Sequence, residues 1–112
     1  MTRWMVGGVA GALLVALTWA GALDAGTPGV EVTLFRFRPG MLEVSTGSAV
    51  TWVNRDDIGH TVTSGAPEAP AGGFDAALEG KAGTATIRFT EPGVYPYFCR
   101  RHQAMRGEVH VR

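Results

Sequence analysis

Past Thr27, Pro28 and Gly29 no stretch of this chain is long or periodic enough for an amphipathic helix, which excludes most fold classes at once. Short β-prone runs alternate instead with Gly, Pro and Asn/Asp punctuation. Val30–Phe37, Met41–Ser45, Ala49–Asn54, His60–Ser64, Thr84–Thr90, Val94–Phe98 and Gly107–Arg112 read as strands. Pro39-Gly40, Thr46-Gly47, Arg55-Asp56-Asp57 and Glu91-Pro92-Gly93 read as turns. So many short strands point to an antiparallel sandwich or barrel, and the fold class expected is an all-β, antiparallel Greek-key sandwich. Val30, Val32 and Leu34 share one face of the first run while Phe35 and Phe37 fall on the other, so that strand needs a bulge or burial on both sides. Gly65–Gly83 holds five Gly, two Pro and six Ala, and reads as a long loop with a short helical turn around Phe74–Leu78.

The segment before this domain is different in kind. Trp4–Leu23 carries no charge, and 15 of its 20 residues are hydrophobic. Arg3, the apolar run and Ala20-Gly21-Ala22 have the three parts of a secretory signal, with cleavage expected near Ala22. The run is also long enough to span a bilayer, so a retained helical anchor over residues 4–23 is the alternative. In either case the domain lies outside the cytoplasm, and a periplasmic location is expected. The division is therefore residues 1–22 as signal peptide or membrane anchor, 23–29 as linker and 30–112 as the folded domain. Ten Lys+Arg balance ten Asp+Glu, which gives no reason to expect a nucleic acid partner. The lone cysteine excludes an intramolecular disulfide and any four-cysteine metal site.

That cysteine opens the informative motif: Cys99, His102 and Met105 at two-residue gaps after an aromatic strand, with His60 upstream on another strand. Two imidazoles, a thiolate and a thioether are the ligand set of a blue-copper centre, trigonal His₂Cys with a weak axial Met. Three ligands from one segment need a tight loop, and the fourth pins that loop to the sandwich. A nucleophilic Cys99/His102 pair lacks the orienting third group an enzyme would use. Zinc would leave Met105 without a purpose. His110, on the last strand with no partner at ligand spacing, reads as structural.

At these residues the sequence resembles the cupredoxins, the plastocyanin-like blue-copper proteins, and is closest to their amicyanin branch. The likeness is carried by Val50–Arg55 with His60, by Phe89–Cys99, and by His102-Gln103-Ala104-Met105-Arg106-Gly107. It implies an eight-stranded sandwich with one type 1 copper ion at one end, held by His60, Cys99, His102 and Met105, and an electron port at the His102 edge. Where many cupredoxins carry Asn after the first histidine ligand, this chain has Thr61, which predicts a weaker tie between the two ligand segments. Arg100, Arg101, Gln103 and Ala104 stand where amicyanin-like loops place prolines, so the partner surface differs as well.

The expected function is a monomeric electron carrier cycling between Cu(II) and Cu(I), not an enzyme, that docks donor and acceptor proteins near His102. Tyr95 and Tyr97 share strand parity with Cys99 and are expected to pack inward beneath the site. Residues 99–112 carry net charge +3 and residues 55–91 carry −3, so an acidic partner steered by Arg100, Arg101 and Arg106 is expected. A copper carrier or store using the same ligands is the alternative. Only Met41 and Met105 follow the leader, which favours a closed redox site over a Met-rich exchangeable one.

Overall fold

The computed structural model describes residues 28–112. The expected leader or anchor, and the linker before Pro28, lie outside the described residues. Among the described residues no helix is long and apolar enough to cross a membrane.

The described chain forms nine strands: β1 (Gly29–Thr33), β2 (Arg36–Arg38), β3 (Met41–Val44), β4 (Ala49–Asn54), β5 (His60–Ala66), β6 (Ala69–Leu78), β7 (Thr84–Arg88), β8 (Gly93–Phe98) and β9 (Arg106–Val111). They make two facing sheets, ordered β2-β1-β4-β7 and β3-β9-β8-β5-β6. All-β is the architecture, but the sheets are mixed rather than purely antiparallel: β1 runs parallel to β4, and β3 parallel to β9.

Strict alternation builds the interior. Along β4, Val50, Trp52 and Asn54 are buried while their neighbours are half-exposed; along β9, Gly107, Val109 and Val111 are buried. Trp52 and Tyr97 meet edge to face with ring centroids 5.3 Å apart at the centre. Val30, Val32, Val50, Val62 and Val109 close around them, each contributing about 1.5–3 kcal/mol by leaving water. Tyr97 packs inward, and the half-buried Tyr95 packs against the same core.

Two expected elements differ. The first run is not one strand: it breaks at Leu34 and Phe35, both with positive φ (53° and 59°), and β2 folds back antiparallel on β1 with Thr33 opposite Arg36. Positive φ at both central residues is what a two-residue type I′ hairpin requires. The break resolves the parity conflict, because Val30, Val32 and Phe37 are all buried while Leu34 is 73% and Phe35 47% exposed. It also makes nine strands of the implied eight.

The second difference is Gly65–Gly83, which is mostly strand. β6 pairs antiparallel with β5, Leu78 opposite His60 and Asp75 opposite Thr63, with no helical turn at Phe74–Leu78. The register slips between Thr63 and Gly65, and Gly65 adopts φ 100° there. The Ser64 hydroxyl fills the irregularity, accepting the Gly73 and Phe74 N–H groups at 2.7 and 2.9 Å.

Candidate metal centre

Four segments meet at one end of the sandwich: the β1–β2 turn, the β4–β5 turn, the start of β5 and the β8–β9 loop. The β8–β9 loop is closed by its own backbone. Cys99 N–H donates to the Met105 carbonyl at 3.1 Å, and Met105 N–H donates to the His102 carbonyl at 2.9 Å. The two-residue gaps are the lengths these bonds allow. Met105 is buried and joins the core cluster, so the loop is anchored inward at its far end.

Across from it, Asn54 ends β4 and shapes the turn that delivers His60. Its Nδ2 donates to the Ile58 and Leu78 carbonyls at 2.9 and 3.3 Å, and its Oδ1 accepts Asp56 N–H at 2.9 Å. Gly59 leaves room where the Arg101 guanidinium crosses the backbone; a Cβ there would overlap it.

His60 and Cys99 are fully buried and His102 is half-buried. The two imidazole Nδ1 atoms lie 3.2 Å apart, and Cys99 Sγ is 3.8 Å from His60 Nδ1 and 3.7 Å from His102 Nδ1. An ion with nitrogen bonds of about 2.0 Å and a sulfur bond of about 2.3 Å fits among three donors so spaced. Among the described residues these three form the group able to hold a metal. His110 lies outside it, on β9, 2.8 Å from Glu108.

Sequence reasoning missed the shell around these donors. Asp56, read only as a turn residue, places a carboxylate oxygen 2.8 Å from His60 Nε2. A carboxylate only accepts, so Nε2 carries a proton, and Nδ1, directed at Cys99 and His102, is the atom the neutral ring leaves to ligate. The same carboxylate accepts Leu34 N–H at 2.7 Å and Phe35 N–H at 3.0 Å. Burial opposes its ionisation, but the Phe35, His60 and Leu34 donors prevail and hold the carboxyl below its usual range. The positive-φ turn, costly for two bulky residues, is thereby tied to the ligand. Its Phe35 ring stands nearly perpendicular to both imidazoles, with centroids 5.1 Å from His60 and 4.8 Å from His102.

Thr61 makes the tie for which a weaker bond was expected. Its Oγ1 accepts Arg100 N–H at 2.8 Å, and its own N–H points to Cys99 Sγ at 3.4 Å. The loop's arginines do not stand free. Arg100 meets Asp75 at 3.1 Å, Arg101 meets Glu79 at 3.2 Å, and Arg106 forms a two-pronged pair with Glu68 at 3.1 Å on both prongs.

Residues 25–112 match the family described as copper binding proteins, plastocyanin/azurin family. This chain belongs to that family. The family is one of blue-copper electron carriers, and copper is the ion its members hold at donors of the kind assembled here. The chain is similar to amicyanin-alpha of Methylorubrum extorquens, 30% identical over 82% of each chain. It is similar also to plastocyanin of Scenedesmus fuscus, 30% identical over 68% of this chain and 86% of that one. Among solved structures, a novel purple cupredoxin from Nitrosopumilus maritimus superposes with TM-score 0.69 at 25% identity, over 76% of this chain and 99% of that one. Reduced amicyanin, in a variant form, superposes with TM-score 0.66 at 33% identity, over 79% and 84% of the two chains. The cupredoxin sandwich is therefore the fold, as the motif implied.

Proposed function

We propose that this protein carries single electrons between redox partner proteins, with one copper ion held by His60, Cys99 and His102 and with Met105 as the weak axial ligand. The observation that carries this reading is the convergence of two Nδ1 atoms and one cysteine sulfur at mutual distances of 3.2–3.8 Å at the end of the sandwich. Copper in such a set supplies reversible Cu(II)/Cu(I) exchange. The protein's own part is to present one geometry to both oxidation states. Asp56 holds the His60 proton on Nε2, the Cys99–Met105 and Met105–His102 backbone bonds hold the loop, and burial excludes water from Cys99 and His60.

His102 is the ligand at the surface, flanked by the exposed Leu34–Phe35 turn, and this edge is where donor and acceptor proteins dock. Arg100, Arg101 and Arg106 are each about half exposed and suit an acidic partner surface. Each already shares its charge with a carboxylate, so the salt dependence of encounter is shallow. The domain acts as a monomer in the periplasm, delivered there by the segment 1–22 and tethered by residues 4–23 if that segment stays uncleaved.

The test against a copper carrier or store is kinetic. Electron self-exchange is read from line broadening in mixtures of the Cu(I) and Cu(II) protein, and copper loss from transfer to a chelator. Fast electron exchange with slow copper loss is expected. Slow electron exchange with rapid copper loss would overturn the proposal.

A further inference from the structure

On β5, Thr61 is fully buried and Thr63 nearly so, although strand parity places both hydroxyls on the face opposite Val62 and the core. Buried hydroxyls need partners, and here they form a chain. Arg100 N–H donates to Thr61 Oγ1 at 2.8 Å, the Thr61 and Thr63 hydroxyl oxygens lie 2.9 Å apart, and Thr63 donates to Asp75 Oδ1 at 2.9 Å. Arg100 Nε also donates to Asp75 Oδ1, at 3.1 Å. The ring therefore starts and ends on the residue after Cys99.

Counting protons fixes its direction. Ionised Asp75 only accepts, so Thr63 commits its single proton there. Thr63 must then accept from Thr61, and Thr61, its own proton committed, is left to accept the Arg100 N–H. The Asp75 carboxyl lies below its usual range chiefly because Thr63 donates to it, with burial opposing and Arg100 assisting. The register placing Asp75 opposite Thr63 makes this contact possible at the strand pair beside the loop.

We propose that Asp75 is a positioning residue for the metal loop: acting through the Thr63 and Thr61 hydroxyls, it orients the acceptor that holds the Arg100 peptide and so the chain leaving Cys99. The proposal rests on the reading of this loop as the metal-binding loop. It differs from a plain surface ion pair between Asp75 and Arg100, because Thr63→Val leaves that pair intact and severs only the relay.

The test follows the Arg100 amide by NMR in the full chain, metal-free and Cu(I)-loaded, for Thr63→Val, Thr63→Ser and Asp75→Ala. Thr63→Val and Asp75→Ala should each accelerate Arg100 amide exchange about tenfold, with β8 amides little changed, and Thr63→Ser should restore the slow rate. In Cu(II)-loaded protein the same two variants should shift the thiolate absorption in the same direction. Arg100 exchange within about twofold of the parent in Thr63→Val, an acceleration shared equally across β8, or no rescue by serine would overturn the relay. The metal-free measurement keeps the outcomes separable: a chain that never binds copper sinks the proposed function, while the Arg100 amide still reports on the relay.

Discussion

Asp56 accepts from two backbone N–H groups of one strained turn and from the buried imidazole of His60. Removing its carboxylate frees the His60 tautomer and the Phe35 turn together. Asp56→Ala is expected to weaken metal affinity about 10–100-fold in competition with a chromophoric chelator, and an unchanged affinity would count against this role. Tyr97 gives a contrasting case. Its hydroxyl and the Trp52 indole N–H are buried without a hydrogen-bond partner among the described residues. Burial pushes the phenol up to about 12. Tyr97→Phe should therefore leave stability unchanged or raise it by about 1 kcal/mol in urea denaturation. Because the folded value lies above the unfolded one, the parent should lose stability as pH rises from about 10 through 12, and the variant should lose less. The convergence of His60, Cys99 and His102 was legible in the sequence, with Met105 as the proposed fourth ligand, because thiol, imidazole and thioether are rare and their spacing is tied to a strand. Asp56, Asp75 and Phe35 were not, since a carboxylate in a turn or an aromatic on a strand has many ordinary uses.

β6 shows at the level of the element why a strand can hide in a sequence. Ala, Gly and Pro dominate it, residues with little intrinsic β preference, and its conformation comes from pairing with β5. Only Phe74, Ala76 and Leu78 at its far end alternate inward. The β1–β2 break was half legible: the parity conflict between the valines and Phe37 demanded an irregularity, but a Leu-Phe pair carries no turn signature. Two glycines within the strands also carry structural requirements. Gly107 lies under the Tyr97 ring, its register partner on β8, where a Cβ would overlap the ring. At Gly65, with φ 100°, a Cβ would meet the Ala69, Pro70 and Ala71 backbone. Gly65→Ala should cost about 2 kcal/mol or more in urea denaturation, and a neutral result would show that the β5–β6 irregularity is not fixed by this residue.

Over the whole molecule, the basic ligand loop and the acidic middle of the sequence fold onto each other: Arg100, Arg101 and Arg106 pair with Asp75, Glu79 and Glu68. The charge pattern was visible in the sequence, but only the β5–β6 hairpin turns it into internal pairs. Exposed pairs of this kind are screened by solvent and add little to stability, so their effect is on loop placement more than on stability. Asp75 and Glu68 both sit below their ordinary carboxylate range, Asp75 chiefly through Thr63 and Glu68 through its own backbone N–H with Arg106 assisting. The unfolded chain thus binds more protons than the folded one, so their contribution is complete above about pH 5 and is lost as pH falls below the ordinary range. Denaturation midpoints should drop over that acidic window, and Asp75→Asn should flatten part of the fall; an identical slope would remove Asp75 from this account. The central claim concerns the thiolate, and the visible spectrum of the Cu(II)-loaded protein tests it most directly. An intense blue thiolate-to-copper band, abolished by Cys99→Ser, is the predicted result. A colourless Cu(II) protein, or a band that survives in Cys99→Ser, would contradict it.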